Sequence, residues 1–168
     1  KVGEIKDQQV KFHTILIQLN RRWADFPYSL SVKIEISTRG LLTKSQLELT
    51  VLQSVLDFPL ISFQVEKKEI LMADKIAALL FRNKARDLYD LLFLLTRKIT
   101  PDLKRINQLT SKNWKTLDKV WRAILPKIKS FSQQEINTDL GPFLDKRERR
   151  LLPTLKENLI SLIAQQSY

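Results

Sequence analysis

Residues 82–92 read RNKARDLYDLL, setting Arg82, Arg86, Asp87 and Asp90 within nine positions ahead of an apolar tail. Guanidinium groups bind phosphate oxygens in pairs, and carboxylates pin such groups or hold cations. Upstream, Lys75 stands in MADKIAALL, where few charges surround it. A lysine in so apolar a stretch either snorkels to solvent or is aimed at a ligand. One helix running through the whole segment would put Lys75, Arg82 and Arg86 within about 40° of one another, with Asp90 near the same line. That row suits a triphosphate. It equally suits a solvated face with an Arg86–Asp90 pair, worth only about 0.5 kcal/mol.

A second candidate lies earlier. Glu35 sits mid-strand in LSVKIEIS, beside Lys33 and on the polar side of the alternation. A carboxylate on a rigid strand is one oxygen ligand for Mg²⁺ in phosphoryl or nucleotidyl transfer. One carboxylate holds no such metal alone, and pairing with a basic residue across the strands explains Glu35 as well. The remaining features have plainer readings. His13 in an apolar strand is a core or edge residue. Trp114 and Trp121, seven apart, share a helical face and belong to a core. The run from Lys146 to Arg150 meets phosphates or forms a solvated turn, and has no aromatic interleaving for base-specific contacts.

The 168 residues carry 29 Lys and Arg, 18 Asp and Glu, and a formal charge of +11. Residues 97–168 hold 15 basic and 7 acidic side chains, and residues 1–96 hold 14 and 11. The basicity therefore concentrates in the C-terminal half. A polyanion, most naturally a nucleic acid, is the implied partner, against a merely soluble basic surface. The absence of cysteine rules out disulfides and thiolate zinc sites, and a single histidine rules out a His-cluster metal site. With no thiols, no signal-peptide pattern and no membrane-spanning run, a cytoplasmic protein is expected.

The elements that must position these residues change character near Lys67. Residues 9–19 read as a buried strand and 30–37 as an alternating one. Residues 41–57 are ambiguous, with a short strand around Leu47–Leu52, and 60–66 alternate again. From Lys67 the pattern is helical. Residues 67–82 carry an apolar stripe of Ile70, Leu71, Ala73, Ala77, Leu80 and Phe81. A weak point at Asn83–Lys84 precedes a second helix or a continuation. Pro101 starts another helix beside Asp102. Residues 112–128 form an amphipathic helix, with Lys112, Lys115, Lys119 and Arg122 as a basic stripe opposite Trp114, Leu117, Trp121, Ile124 and Ile128. Ser132 and Glu135 make a capping box for a short helix that Gly141-Pro142 breaks. A last helix covers about 146–165, with Pro153 near its start and Leu151, Leu152, Leu155, Leu159, Leu162 and Ile163 inward. Segregated strands and helices mean an α+β fold, with a partial mixed or antiparallel sheet followed by a helical bundle. The expected division is residues 1–97 as the motif-bearing core and 98–168 as a basic helical subdomain.

In this order, the strand KIEIS, the strand LISFQVE, the helix EILMADKIAALLFR and the run RNKARDLYDLL resemble the AbiEii-type nucleotidyltransferase toxins of abortive infection and phage defence, within the polymerase-β-like superfamily. The resemblance covers residues 30–97. It matches the strand Lys/Glu pair to Lys33 and Glu35, the helix lysine to Lys75, and the final signature to Arg82, Arg86, Asp87, Asp90 and Leu91. It implies Glu35 as a carboxylate of a Mg²⁺ site, Lys75 on the nucleoside triphosphate, and Asp87 as an essential carboxylate. Arg82 and Arg86 would then lie near phosphate or pin the helix, and Asp90 would tie two helices together. It also implies transfer of a nucleotide from NTP to an acceptor such as tRNA, docked on the Lys112–Arg122 stripe, and a cognate antitoxin. The family's Gly-Ser and Asp-x-Asp motifs do not occur here and are expected upstream of Lys1, which leaves this chain inactive alone. An exposed sheet edge would then invite dimerisation. The rival readings are a non-catalytic or regulatory nucleic-acid-binding module on the same fold, or a module whose basic face meets an acidic protein.

Overall fold

The computed structural model describes residues 12–18, 31–37, 42–52 and 61–166. The chain divides into two compact units, residues 1–43 and 44–168.

In the first unit, β1 (Phe12–Gln18) pairs antiparallel with β2 (Ser31–Ser37). The register sets Lys33 opposite Leu16 and Glu35 opposite Thr14. The expectation of a buried β1 is corrected: Leu16 and Ile17 are exposed, as are Val32, Ile34 and Ile36. Two strands make a single layer and cover neither of their own faces.

The second unit opens with a 3-10 turn, Lys44–Gln46, and a second antiparallel hairpin of β3 (Leu47–Leu52) and β4 (Ile61–Glu66). The ambiguous stretch thus contains the short strand expected around Leu47–Leu52. The Lys67 backbone N–H donates to the Gln46 carbonyl at 3.0 Å, and its Nζ donates to the Ser45 carbonyl at 2.6 Å. These bonds anchor the point where the sheet gives way to helix.

Six helices follow among the described residues: α1 (Lys68–Phe81), α2 (Ala85–Thr96), α3 (Leu103–Thr110), α4 (Leu117–Ser130), α5 (Gln133–Leu140) and α6 (Leu155–Gln165). Helix α1 packs on α2, α3 and α4, while α2 packs on α5 and α6. Met72, Ile76, Leu79, Leu88, Leu91, Trp121, Ile124, Leu155 and Leu159 fill one core. Each large apolar side chain so buried contributes about 1.5–3 kcal/mol. The architecture is α+β, with short antiparallel strands first and the helical bundle after. No helix among the described residues is long and apolar enough to cross a membrane.

Several boundaries differ from the pattern-based expectation. Phe81 was expected on the α1 stripe but is largely exposed, because Arg82 is extended and ends the helix there. Pro101 does not start α3. Asp102 is its N-cap, with the carboxylate accepting the Arg105 backbone N–H at 2.8 Å. Helix α4 begins at Leu117, not 112, so Lys112 and Lys115 precede it and only Lys119 and Arg122 lie on it. The single basic stripe is corrected accordingly. Trp121 is in the core as expected, but Trp114 is only partly buried at its edge. The Ser132–Glu135 capping box is present. Pro153 lies within a 3-10 segment, Glu148–Thr154, which delays α6 to Leu155. Leu151, expected inward, is exposed there.

Candidate active site

The break between α1 and α2 decides which charges meet. Residues 82–84 are extended, so the two helices do not form one rod and the straight row from Lys75 to Asp90 does not exist. Instead α2 packs against α1 and pairs its acids with α1's cations. Lys75 Nζ meets Asp90 Oδ2 at 2.5 Å, with both side chains partly exposed. The Arg82 guanidinium grips Asp87 as a fork, Nε to Oδ2 and Nη2 to Oδ1, both at 2.8 Å. Asp87 is 1% exposed, whereas Arg82 is 56% exposed. The hydrogen bond to Asp87 also raises the affinity of Arg82 for its proton. The Arg86–Asp90 pair weighed from spacing gives way to Lys75–Asp90. The Arg86 guanidinium lies 5.7 Å from the centre of the Phe143 ring.

The start of α2 is capped from elsewhere in the fold. The Lys84 side chain supplies no cap, and the Asp139 carboxylate of α5 accepts the Ala85 backbone N–H at 3.0 Å. Tyr89 donates its hydroxyl to Glu148 at 3.1 Å, and burial together with that bond raises its pKa. The signature helix is thereby held from three directions before any ligand arrives.

Sequence reasoning missed a second charged group on the other side of Lys75. Asp74 takes a fork from Arg105 of α3, at 2.8 and 3.1 Å, and Arg105 is buried. Glu66, the last residue of β4, lies in the same electrostatic neighbourhood. Burial first, then the Asp74 charge, pushes its carboxyl pKa up, against the opposing pull of Arg105 and Lys75. Its Oε1 is buried with no hydrogen-bond partner. The Asp74–Arg105 pair spans 31 residues, so local spacing carried no signal for it. Glu66 showed only as a charge ending an alternating strand.

Lys33 and Glu35 stand on β2, in the first unit. Among the described residues no three His, Asp or Glu gather to hold a metal ion. Around Trp114, the Asn107 side chain bonds both the Trp114 N–H, at 2.8 Å, and its carbonyl, at 3.1 Å. Lys112 Nζ lies 5.1 Å from the Trp114 ring centre. On α4, Arg122 pairs with Asp118 one turn earlier at 3.0 Å.

A sheet feeding a helix whose mid-helix lysine faces a carboxylate on the next, heavily braced helix is an arrangement suited to holding an anionic substrate. The family model described as "Nucleotidyl transferase AbiEii toxin, Type IV TA system" matches residues 2–161, nearly the whole chain. The chain belongs to this family of nucleotidyltransferase toxins. The match continues through the basic helical half, beyond the segment that carries the motifs. It implies a nucleotide substrate and a cognate antitoxin. No curated protein and no solved structure matches the chain.

Proposed function

We propose that this chain supplies the helical side of a site that transfers a nucleotide from an NTP to an acceptor RNA such as tRNA. The observation that carries the reading is the Lys75–Asp90 pair that bridges α1 and α2, in a chain of the nucleotidyltransferase toxin family. In such a transfer the acceptor oxygen bonds the α-phosphorus and pyrophosphate leaves with the bridging electron pair. Negative charge builds on the leaving oxygens, where a fixed cation stabilises it most. In this reading Lys75 is that cation. Asp90 holds its ammonium in place until the triphosphate competes for it.

Asp87 acts through Arg82. Both its oxygens are taken by the guanidinium fork, which leaves Arg82 half exposed and fixed in direction. Arg86 is exposed as well, has no carboxylate fork like that of Arg82 among the described residues, and would face substrate or acceptor phosphate. Lys33 and Glu35, on β2 of the first unit, are proposed as the family's strand pair. Glu35 would be one Mg²⁺ ligand among others, since a single carboxylate holds no such ion. The family's divalent-metal chemistry finds no three-ligand cluster among the described residues. Lys112, Lys115, Lys119 and Arg122 are proposed to meet the acceptor backbone as a loop-plus-helix patch. A non-catalytic RNA-binding role is the second reading, favoured by the excess of 15 basic over 7 acidic side chains in residues 97–168.

The test uses the full-length gene product with Mg²⁺ and total RNA. NTPs labelled at the α-phosphate are compared with NTPs labelled at the γ-phosphate. Label reaching RNA only from the α position supports nucleotidyl transfer. Transfer from neither position, with RNA still bound, supports the second reading.

A further inference from the structure

Beside the Lys75–Asp90 pair lies an open recess of about 240 Å³, lined by Leu71, Lys75, Asp90, Phe93 and Leu94. Its walls are mostly apolar and its charged groups are the two members of the pair. Leu71 sits one turn before Lys75 on α1, and Phe93 follows Asp90 on α2, so both motif helices build it. Phe93 is 46% exposed, so one part of its ring is open to a ligand. Its ring also carries the Arg97 guanidinium, 3.8 Å from the centroid. That cation–π contact holds one face of the ring in place.

We propose that this recess takes the nucleoside of the triphosphate, with the base against Phe93 and the phosphates running out to Lys75. The assignment rests on the nucleotidyl-transfer reading of Lys75. Size favours it. Pockets that enclose a whole drug-sized ligand run to about 300–1,000 Å³. This smaller recess suits a single ring system and leaves a phosphate chain outside. Chemistry favours it too. A flat ring between Leu71, Phe93 and Leu94 buries apolar area and stacks on an aromatic face, which tolerates any base. Asp90, once Lys75 turns to phosphate, offers acceptor oxygens to sugar hydroxyls. A long anionic chain without a base would use Lys75 and leave Phe93 idle.

The test is calorimetric titration of the full-length protein with each of the four ribonucleoside triphosphates and, separately, with inorganic tripolyphosphate. Phe93→Ala is expected to weaken nucleotide binding about tenfold or more and to leave tripolyphosphate affinity unchanged. Phe93→Trp is expected to restore or exceed wild-type affinity. Phe93→Leu keeps the apolar contact and guards against a folding defect in the alanine variant, with thermal melts run on all three. Nucleotide affinity unaffected by Phe93→Ala and Phe93→Leu overturns the proposal. So does an equal loss of nucleotide and tripolyphosphate affinity in a folded variant. In both cases the reading of Lys75 survives if Lys75→Ala weakens both ligands. A wild-type protein that binds neither ligand overturns that reading, and this proposal with it.

Discussion

Asp87 and Arg82 are joined by two short hydrogen bonds but differ sharply in exposure, 1% against 56%. This asymmetry predicts unequal consequences for the two single substitutions. Arg82→Ala leaves a buried carboxylate without its cation. Removing one partner of a buried pair costs about 3–5 kcal/mol. Loss of a half-exposed arginine also opens a path for water, which sets the expectation at the lower end, about 3 kcal/mol. Asp87→Asn keeps the shape, still accepts one hydrogen bond and leaves an arginine that rehydrates, at a cost of about 1 kcal/mol. The double variant carries no stranded charge and should be more stable than Arg82→Ala alone. Urea unfolding followed by circular dichroism at neutral pH reads all three, with the denaturant slope unchanged. Asp87→Asn costing as much as Arg82→Ala, or a double variant at the simple sum, would refute the argument. If Asp87→Asn abolished transfer with stability barely moved, Asp87 would act on substrate rather than through Arg82.

Other perturbations test neighbouring parts of the account. The Glu66 carboxyl has a pKa raised above its ordinary 4.5, mainly by burial, so the folded state holds that proton more tightly than the unfolded state. Its favourable contribution is present below the unfolded value and lost as pH rises through the folded one. Glu66→Gln should therefore raise the melting temperature at pH 7 and make little difference near pH 4; equal effects at both pH values would contradict the burial argument. Asp102→Ala removes the α3 cap and should cost about 1 kcal/mol by urea unfolding. Replacing Lys112, Lys115, Lys119 and Arg122 together by glutamine should flatten the log–log salt dependence of RNA binding by about 2–3 units, on the slope of roughly −0.7 per single-stranded phosphate contact. An unchanged slope would remove that patch from the interface.

The alternation in ISFQVE marked β4 because a strand's side-chain period is two, whatever surrounds it. Helix α5 was legible because its capping box is wholly local. Misreadings arose where a tertiary contact overrode local pattern. The seven-residue spacing of Trp114 and Trp121 suggested one helical face, yet Asn107 takes both backbone groups of Trp114 and holds that residue ahead of α4. Leu151 fits a helix of 3.6 residues per turn. The tighter 3-10 segment that contains Pro153 turns it outward instead. At the candidate site, the residue types Lys75, Asp87 and Asp90 were legible, but their partners were not. Spacing of four pointed to Arg86–Asp90, whereas the break at 82–84 lets α2 fold back and pairs Lys75 with Asp90 and Arg82 with Asp87. Nothing local announced Arg105 as the partner of Asp74.

The central claim is that Lys75 meets the triphosphate during nucleotidyl transfer. The most direct measurement is the steady-state rate of α-label incorporation into RNA by the full-length protein, for wild type, Lys75→Ala and Lys75→Arg, with melting temperatures alongside. The account predicts loss of incorporation in Lys75→Ala at an unchanged fold, and partial recovery in Lys75→Arg, which keeps the charge. A folded Lys75→Ala variant that incorporates label at the wild-type rate would contradict it.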